Sequence, residues 1–251
     1  MIELMNPHAS GKFRDIRLLI FDLDGTLIDS EADLALSVNA MLARIGREPL
    51  QRPVIASYVG QGVTVLVKRA LGAAEAPLEE AVAFFLDYYR EHMLDHTALY
   101  PGVREALEEL IPRKLVVLTN KPVNFSRQIL AGLGVDRFFS LVYGGNSFEQ
   151  KKPHPAGILR SMEECRSRAT ETLMVGDSET DVLTGRNAGA WTCGVTYGIG
   201  SQTLARAEPD FFVDDLRELP RFLAACEQAA TAGAIRDIEL SSPSRENSRG
   251  S

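Results

Sequence analysis

Leu18-Leu19-Ile20-Phe21, running directly into Asp22-Leu23-Asp24-Gly25-Thr26-Leu27, constrains this chain more than any other stretch. Four consecutive apolar residues suit a strand buried on both faces, the pattern of a central strand in a parallel sheet. The run ends in two carboxylates two positions apart. Gly25 lets the backbone turn at once, so both acids can converge on one point at the strand's carboxyl end. A solvated Asp-Gly turn would account for a lone stretch of this kind. Chemistry at these acids requires partners elsewhere in the chain.

The rest of the sequence alternates strands and helices. Ser30 stands as a candidate N-cap with Asp33 three residues on, and apolar residues recur at Leu34, Val38, Met41, Leu42 and Ile45 before Gly46. Further helical stretches run from about Val63 to Leu71 and after Pro77, with Leu78, Val82, Phe85, Tyr89 and Met93 on one face. No strand pattern interrupts this region, so an all-α insertion is expected over 30–96. Buried strands are expected at Lys114–Asn120, about Ser140–Tyr143, Thr172–Val175, Trp191–Thr196 and Phe211–Val213, with helices between them. That alternation implies an α/β fold: a Rossmann-like, mostly parallel sheet with helices on both faces, plus the small helical insertion after its first strand. The expected organisation is an N-terminal extension (1–14), a core (15–29 and 97–228), the insertion, and a Ser-rich tail (229–251) whose composition predicts disorder.

Four strand ends present polar residues: Asp22 and Asp24, Thr119 and Asn120, Lys152 after the third strand, and Gly176-Asp177-Ser178 with Asp181. Ligands of open parallel sheets bind at the carboxyl ends of strands, so these groups are candidates for one crevice. Several carboxylates at close range resist ionising together, which a divalent cation resolves. A site rich in carboxylates and poor in histidine suits Mg²⁺ better than zinc. A phosphate dianion then needs donors, which Lys152, Thr119 and Asn120 offer, and an aspartate is a recognised covalent nucleophile. Each residue also has a plainer role: Thr119-Asn120 as a turn, Lys151-Lys152 as a solvated pair, Asp181 as a helix cap, and His154 as part of a proline-stiffened loop.

In combination these stretches resemble the four motifs of the haloacid dehalogenase-like phosphatases, over roughly Leu18 to Leu219. The resemblance implies Asp22 as nucleophile and metal ligand, and Asp24 as acid/base whose main-chain carbonyl also reaches the metal. It further implies Asp177 as a direct Mg²⁺ ligand, and Asp181, Ser178 and Thr26 in support. The insertion resembles the small cap of subfamily I, and Tyr58-Val59-Gly60-Gln61-Gly62, Lys152-Pro153-His154-Pro155 and Tyr100-Pro101-Gly102-Val103 are similar to segments of bacterial phosphoglycolate phosphatases. The expected activity is therefore Mg²⁺-dependent hydrolysis of 2-phosphoglycolate through an aspartyl-phosphate. Alternatives are another small phosphoester (a sugar phosphate, N-acetylmuramic acid 6-phosphate or pyrophosphate) or a silent phosphate-binding protein. A cation from the cap, Lys68 or Arg69, is the expected partner of a substrate carboxylate.

Composition excludes other classes. A formal net charge of -7 repels nucleic acid and anionic membranes, and no apolar run approaches a membrane span. Cys165, Cys193 and Cys226 lie far apart without metal-ligand spacing, which suits a reducing cytoplasm. The expected partner is a small phosphorylated metabolite, bound by a monomer or homodimer.

Overall fold

In a computed structural model of the chain, which describes residues 13, 15–73 and 77–241, six strands form one parallel sheet. The strands are β1 (Leu18–Phe21), β4 (Lys114–Leu118), β5 (Leu141–Tyr143), β6 (Thr172–Gly176), β7 (Trp191–Val195) and β8 (Phe211–Val213), in the order β5-β4-β1-β6-β7-β8. β1 is central and fully buried, as its unbroken apolar run requires. Side chains of period two divide between the faces. Leu19, Phe21, Val117 and Val175 join the larger core, while Leu18, Ile20, Val116 and Met174 pack against Ile158 and Met162 of α7 (Ala156–Cys165). The larger core also takes residues from α5 (Val103–Leu110), α6 (Val123–Gly132) and α9 (Glu218–Ser241), and α8 (Glu179–Asn187) follows β6.

Register brings the strand ends level. Phe21 lies beside both Val117 and Val175, so Asp22 emerges between the ends of β4 and β6, its amide donating to the Val175 carbonyl at 2.9 Å. A crevice at these three ends is a consequence of pairing alone.

Between β2 (Ile28–Asp29) and β3 (Ala98–Leu99), which pair antiparallel, the chain forms four helices: α1 (Glu31–Arg44), α2 (Arg52–Ala56), α3 (Val63–Leu71) and α4 (Leu78–His92). The short β2-β3 ribbon and the one-turn α2 carry too little periodicity to show in the sequence. The expected cap at Ser30 is not made: Ser30 occupies the N-cap position of α1, but its hydroxyl donates to Asp24 Oδ1 at 2.6 Å. Asp33, fully buried, instead receives the amides of His96 and Thr97 and the Thr97 hydroxyl at 2.7–3.1 Å. It thereby ties the start of the helical insertion to the segment through which the chain returns.

Two termini depart from expectation. Phe13, assigned by pattern to an extension, is 1% exposed and packs edge-on against Trp191 and Phe211 with centroids 5.0 and 5.1 Å away. A single aromatic in a polar stretch carries no periodic signal. At the other end α9 continues past residue 229, where disorder was expected, to Ser241, because its Ala-rich turns retain high helix propensity; residues 242–251 lie outside those described. Among the described residues no helix is long and apolar enough to cross a membrane, and Cys165, Cys193 and Cys226 are free.

Removing the Asp33 carboxylate leaves buried donors unpaired. Asp33→Ala is expected to cost about 3 kcal/mol in urea denaturation, and a loss below about 1 kcal/mol would contradict the tie.

Candidate active site

The loop from Asp22 to Ile28 is the tightest part of the crevice. Gly25 adopts φ +87°, and a side chain there would meet the Asp177 carboxylate, with the nearest oxygen 2.0 Å from the added carbon. Gly198 makes the same allowance from the loop after β7, with Asp177 Cβ 2.2 Å from where its side chain would begin. Both glycines therefore give Asp177 the room to face Asp22. The Gly200 amide donates to Asp177 Oδ2 at 2.7 Å, and the Tyr197 hydroxyl closes the loop by donating to the Thr26 carbonyl at 2.9 Å.

Asp22, Asp177 and Asp181 are all buried, and ligand oxygens from the three lie within 4.8 Å of one another. Two oxygens on opposite sides of a Mg²⁺ ion are roughly 4.2 Å apart, so small adjustments would let the three grip one ion. The oxygen-only donor set fits a hard divalent cation. Lys152 Nζ sits in the same cluster, 2.8 Å from Asp22 Oδ1 and 2.6 Å from Asp181 Oδ1. Ser178 caps α8 and donates its amide and hydroxyl to Asp181 Oδ2 at 3.1 and 2.6 Å, so Asp181 is the third residue of a capping box as well as the counter-ion of Lys152.

Three carboxylates face one ammonium, and the imbalance shows in their protonation. Burial pushes the Asp22 carboxyl up to about 6, against the pull of Lys152. Burial, reinforced by Asp181 and Asp22, pushes Asp177 well above the usual carboxylate range. Burial alone would depress Lys152, but Asp181 and Asp22 hold its pKa above the ordinary lysine value. The ammonium is thus charged at every physiological pH.

Asp24 does not join the cluster with its side chain. Its carboxylate receives Ser30 Oγ and, at 2.9 and 3.1 Å, Lys121 Nζ. Of the four carboxylates expected together, Asp22, Asp177 and Asp181 therefore gather and the Asp24 side chain does not, which leaves its main-chain carbonyl as the atom expected to reach the metal. Asn120 also departs from its expected role: its Oδ1 accepts the Lys152 amide, and its Nδ2 donates to the carbonyls of Lys152 and Gly60. With those contacts made its side chain braces the Lys152 loop and the cap loop, and its main-chain N–H is the group left to it as a phosphate donor. Thr119 Oγ1 accepts the Lys121 amide at 3.3 Å, leaving its hydroxyl hydrogen available. Thr26 Oγ1 is buried without a hydrogen-bond partner. Lys68 and Arg69 are exposed, and Arg69 donates to Gln61 Oε1, so neither is the cation facing the crevice. Lys121, which the sequence analysis did not single out, lines the cavity beneath the cap instead. His154 Nδ1 accepts the Ala156 amide, a loop contact.

Because native Asp22 holds its proton more tightly than the unfolded chain, its ionisation lowers native stability as pH rises from its ordinary 3.8 through about 6. A rise of this size is worth roughly 3 kcal/mol when the group is buried. In chelator, Asp22→Asn is expected to be more stable than the wild type at pH 7.5, with the difference shrinking toward pH 4. Equal stability at pH 7.5 in urea denaturation would contradict this.

Comparison with known proteins agrees with this geometry. A family model described as haloacid dehalogenase-like hydrolase matches residues 19–195. A phosphoglycolate phosphatase of Pseudomonas putida is 39% identical over 236 residues, covering 90% of this chain and 85% of that protein. One from Vibrio parahaemolyticus is 38% identical, covering 84% and 97%. A crystal structure from Haemophilus somnus, described as a predicted phosphoglycolate phosphatase, superposes with a TM-score of 0.79 at 33% identity, covering 82% of this chain and 97% of that one. The motif spacing, the level strand ends and the buried acid cluster converge on one assignment: the chain belongs to the haloacid dehalogenase-like hydrolases.

Proposed function

We propose that the protein is a Mg²⁺-dependent phosphomonoester hydrolase of the cytoplasm that acts through a phosphorylated Asp22, with 2-phosphoglycolate as substrate. The observation that carries this is the pairing of two acids on one loop with two different lysines: Asp22 beside Lys152, and Asp24 beside Lys121. Both line the cavity beneath the cap, but the first stands among the carboxylates that fit a metal while the second is held apart from them by Lys121 and Ser30. Two acids in two environments support two roles.

Asp22 attacks phosphorus in line with the leaving oxygen, forming the acyl-phosphate as the P–O bond to the alcohol breaks. Asp24 gives its proton to the departing alkoxide and then takes one from the water that attacks phosphorus, releasing phosphate and restoring the Asp22 carboxylate. Lys152 and the Thr119 hydroxyl would donate to the phosphoryl oxygens. Mg²⁺, held by Asp22, Asp177 and the main-chain carbonyl of Asp24 with Asp181 in support, would supply positive charge against the phosphate. Lys121 on the cavity side suits a leaving group that carries an anion, and the relatives named phosphoglycolate phosphatase point the same way.

Comparing kcat/KM for 2-phosphoglycolate, a hexose 6-phosphate and pyrophosphate tests the substrate. Phosphoglycolate is expected to lead by at least about tenfold, and a higher value for either competitor would contradict the assignment. Asp22→Asn is expected to lower turnover on the order of 10⁴-fold or more. Substantial residual hydrolysis would rule out the nucleophile.

A further inference from the structure

The cavity between cap and sheet is walled largely by hydrocarbon, with Leu34, Val63, Leu66, Phe85 and Phe125 among its lining. Beside the motif residues, two polar groups interrupt that wall. Lys121, 7% exposed, reaches both oxygens of Asp24 and stands 4.6 Å from the centroid of the Tyr89 ring. Tyr89, from α4 of the cap, is 2% exposed and lines the same cavity, and its buried hydroxyl interacts with the Lys121 ammonium but makes no hydrogen bond of normal geometry with any group. Since an ammonium can only donate, the phenol's own O–H remains without an acceptor, and a ligand oxygen beside Lys121 would supply one. Burial also pushes the Tyr89 phenol up to about 12, which keeps it a hydrogen-bond donor at neutral pH.

We propose that Lys121 and Tyr89 together form the receptor for a carboxylate on the leaving group, one carbon beyond the oxygen that departs from phosphorus. The assignment rests on the phosphohydrolase activity proposed above and names the groups that would select short 2-phosphooxy carboxylic acids. The departing oxygen must come within hydrogen-bond reach of Asp24 to receive its proton. Since Lys121 Nζ already touches both Asp24 oxygens, the first atoms beyond that oxygen fall beside the ammonium. An aliphatic and aromatic wall offers a sugar's hydroxyls no partners and would strip them of water. A plain alkyl phosphate, in contrast, leaves the ammonium and phenol without the group they face. Because one receptor group comes from the core and the other from the cap, a bound carboxylate would also join the two.

The test uses the full chain and compares 2-phosphoglycolate with ethyl phosphate, its counterpart lacking the carboxylate. The wild type is expected to prefer phosphoglycolate by about 100-fold in kcat/KM. Lys121→Met is expected to lower kcat on both substrates, because Asp24 loses its ion-pair partner, and in addition to raise KM for phosphoglycolate alone, bringing the ratio to within a few-fold of one. Tyr89→Phe, which removes a single oxygen, should lower the ratio about three- to tenfold. If Lys121→Met loses activity on both substrates in proportion and keeps the ratio, Lys121 merely braces Asp24 and the receptor is overturned, with the phosphatase activity intact. Where Lys121→Met does not fold, an unchanged ratio in Tyr89→Phe overturns it instead. A wild type that hydrolyses both equally would overturn the receptor and the carboxylate-bearing substrate together.

Discussion

Three buried carboxylates set against one ammonium, at the level ends of neighbouring parallel strands, are the constraint to which the rest of this structure is fitted. Left alone, such a cluster repels itself and favours protonation, as the raised Asp22 and Asp177 values express. Its assembly needs glycine at 25 and 198, where any side chain would collide with Asp177. It also needs the capping box of α8, which fixes the Asp181 carboxylate between Ser178 and Lys152. The arrangement is stored electrostatic tension that a divalent cation would relieve.

A second ion pair divides the crevice into two halves. Lys152 with Asp22 and Asp181 makes the side that would take phosphate, and Lys121 with Asp24 makes the side that opens beneath the cap. Asn120 connects them mechanically, since one amide group holds the Lys152 main chain and the cap loop at Gly60. Cap position is thereby coupled to the loop that presents Lys152. Asp33, through its bonds to His96 and Thr97, secures the other root of the cap.

Most of the sheet was legible in the sequence because buried strands require apolar runs: Phe211–Val213 was read to the residue, and β1, β4, β6 and β7 to within two residues. The acids at positions 22, 24 and 177 were legible because charge at the end of such a run is costly without a purpose, whereas Lys152 and Asp181, farther past their strands, were legible through the motif resemblance. What escaped were features whose meaning depends on tertiary contact. Ser30 and Asp33 look like a helix cap in one dimension, yet each serves a distant partner. Lys121 looks like a surface lysine opening a helix until Tyr89, more than thirty residues earlier in the sequence, is folded over it. Asn120 reads as a phosphate donor by type and place, and only the tertiary contacts show that its side-chain amide is spent on Lys152 and Gly60.

The central claim is that the acid cluster is incomplete without a divalent cation. Calorimetric titration of chelator-treated protein with Mg²⁺ near neutral pH tests it most directly. The account predicts one ion bound per chain, proton release on binding because metal displaces the protons that burial retains, and loss of the site in Asp177→Asn. Failure to bind, or binding undiminished by Asp177→Asn, would contradict it.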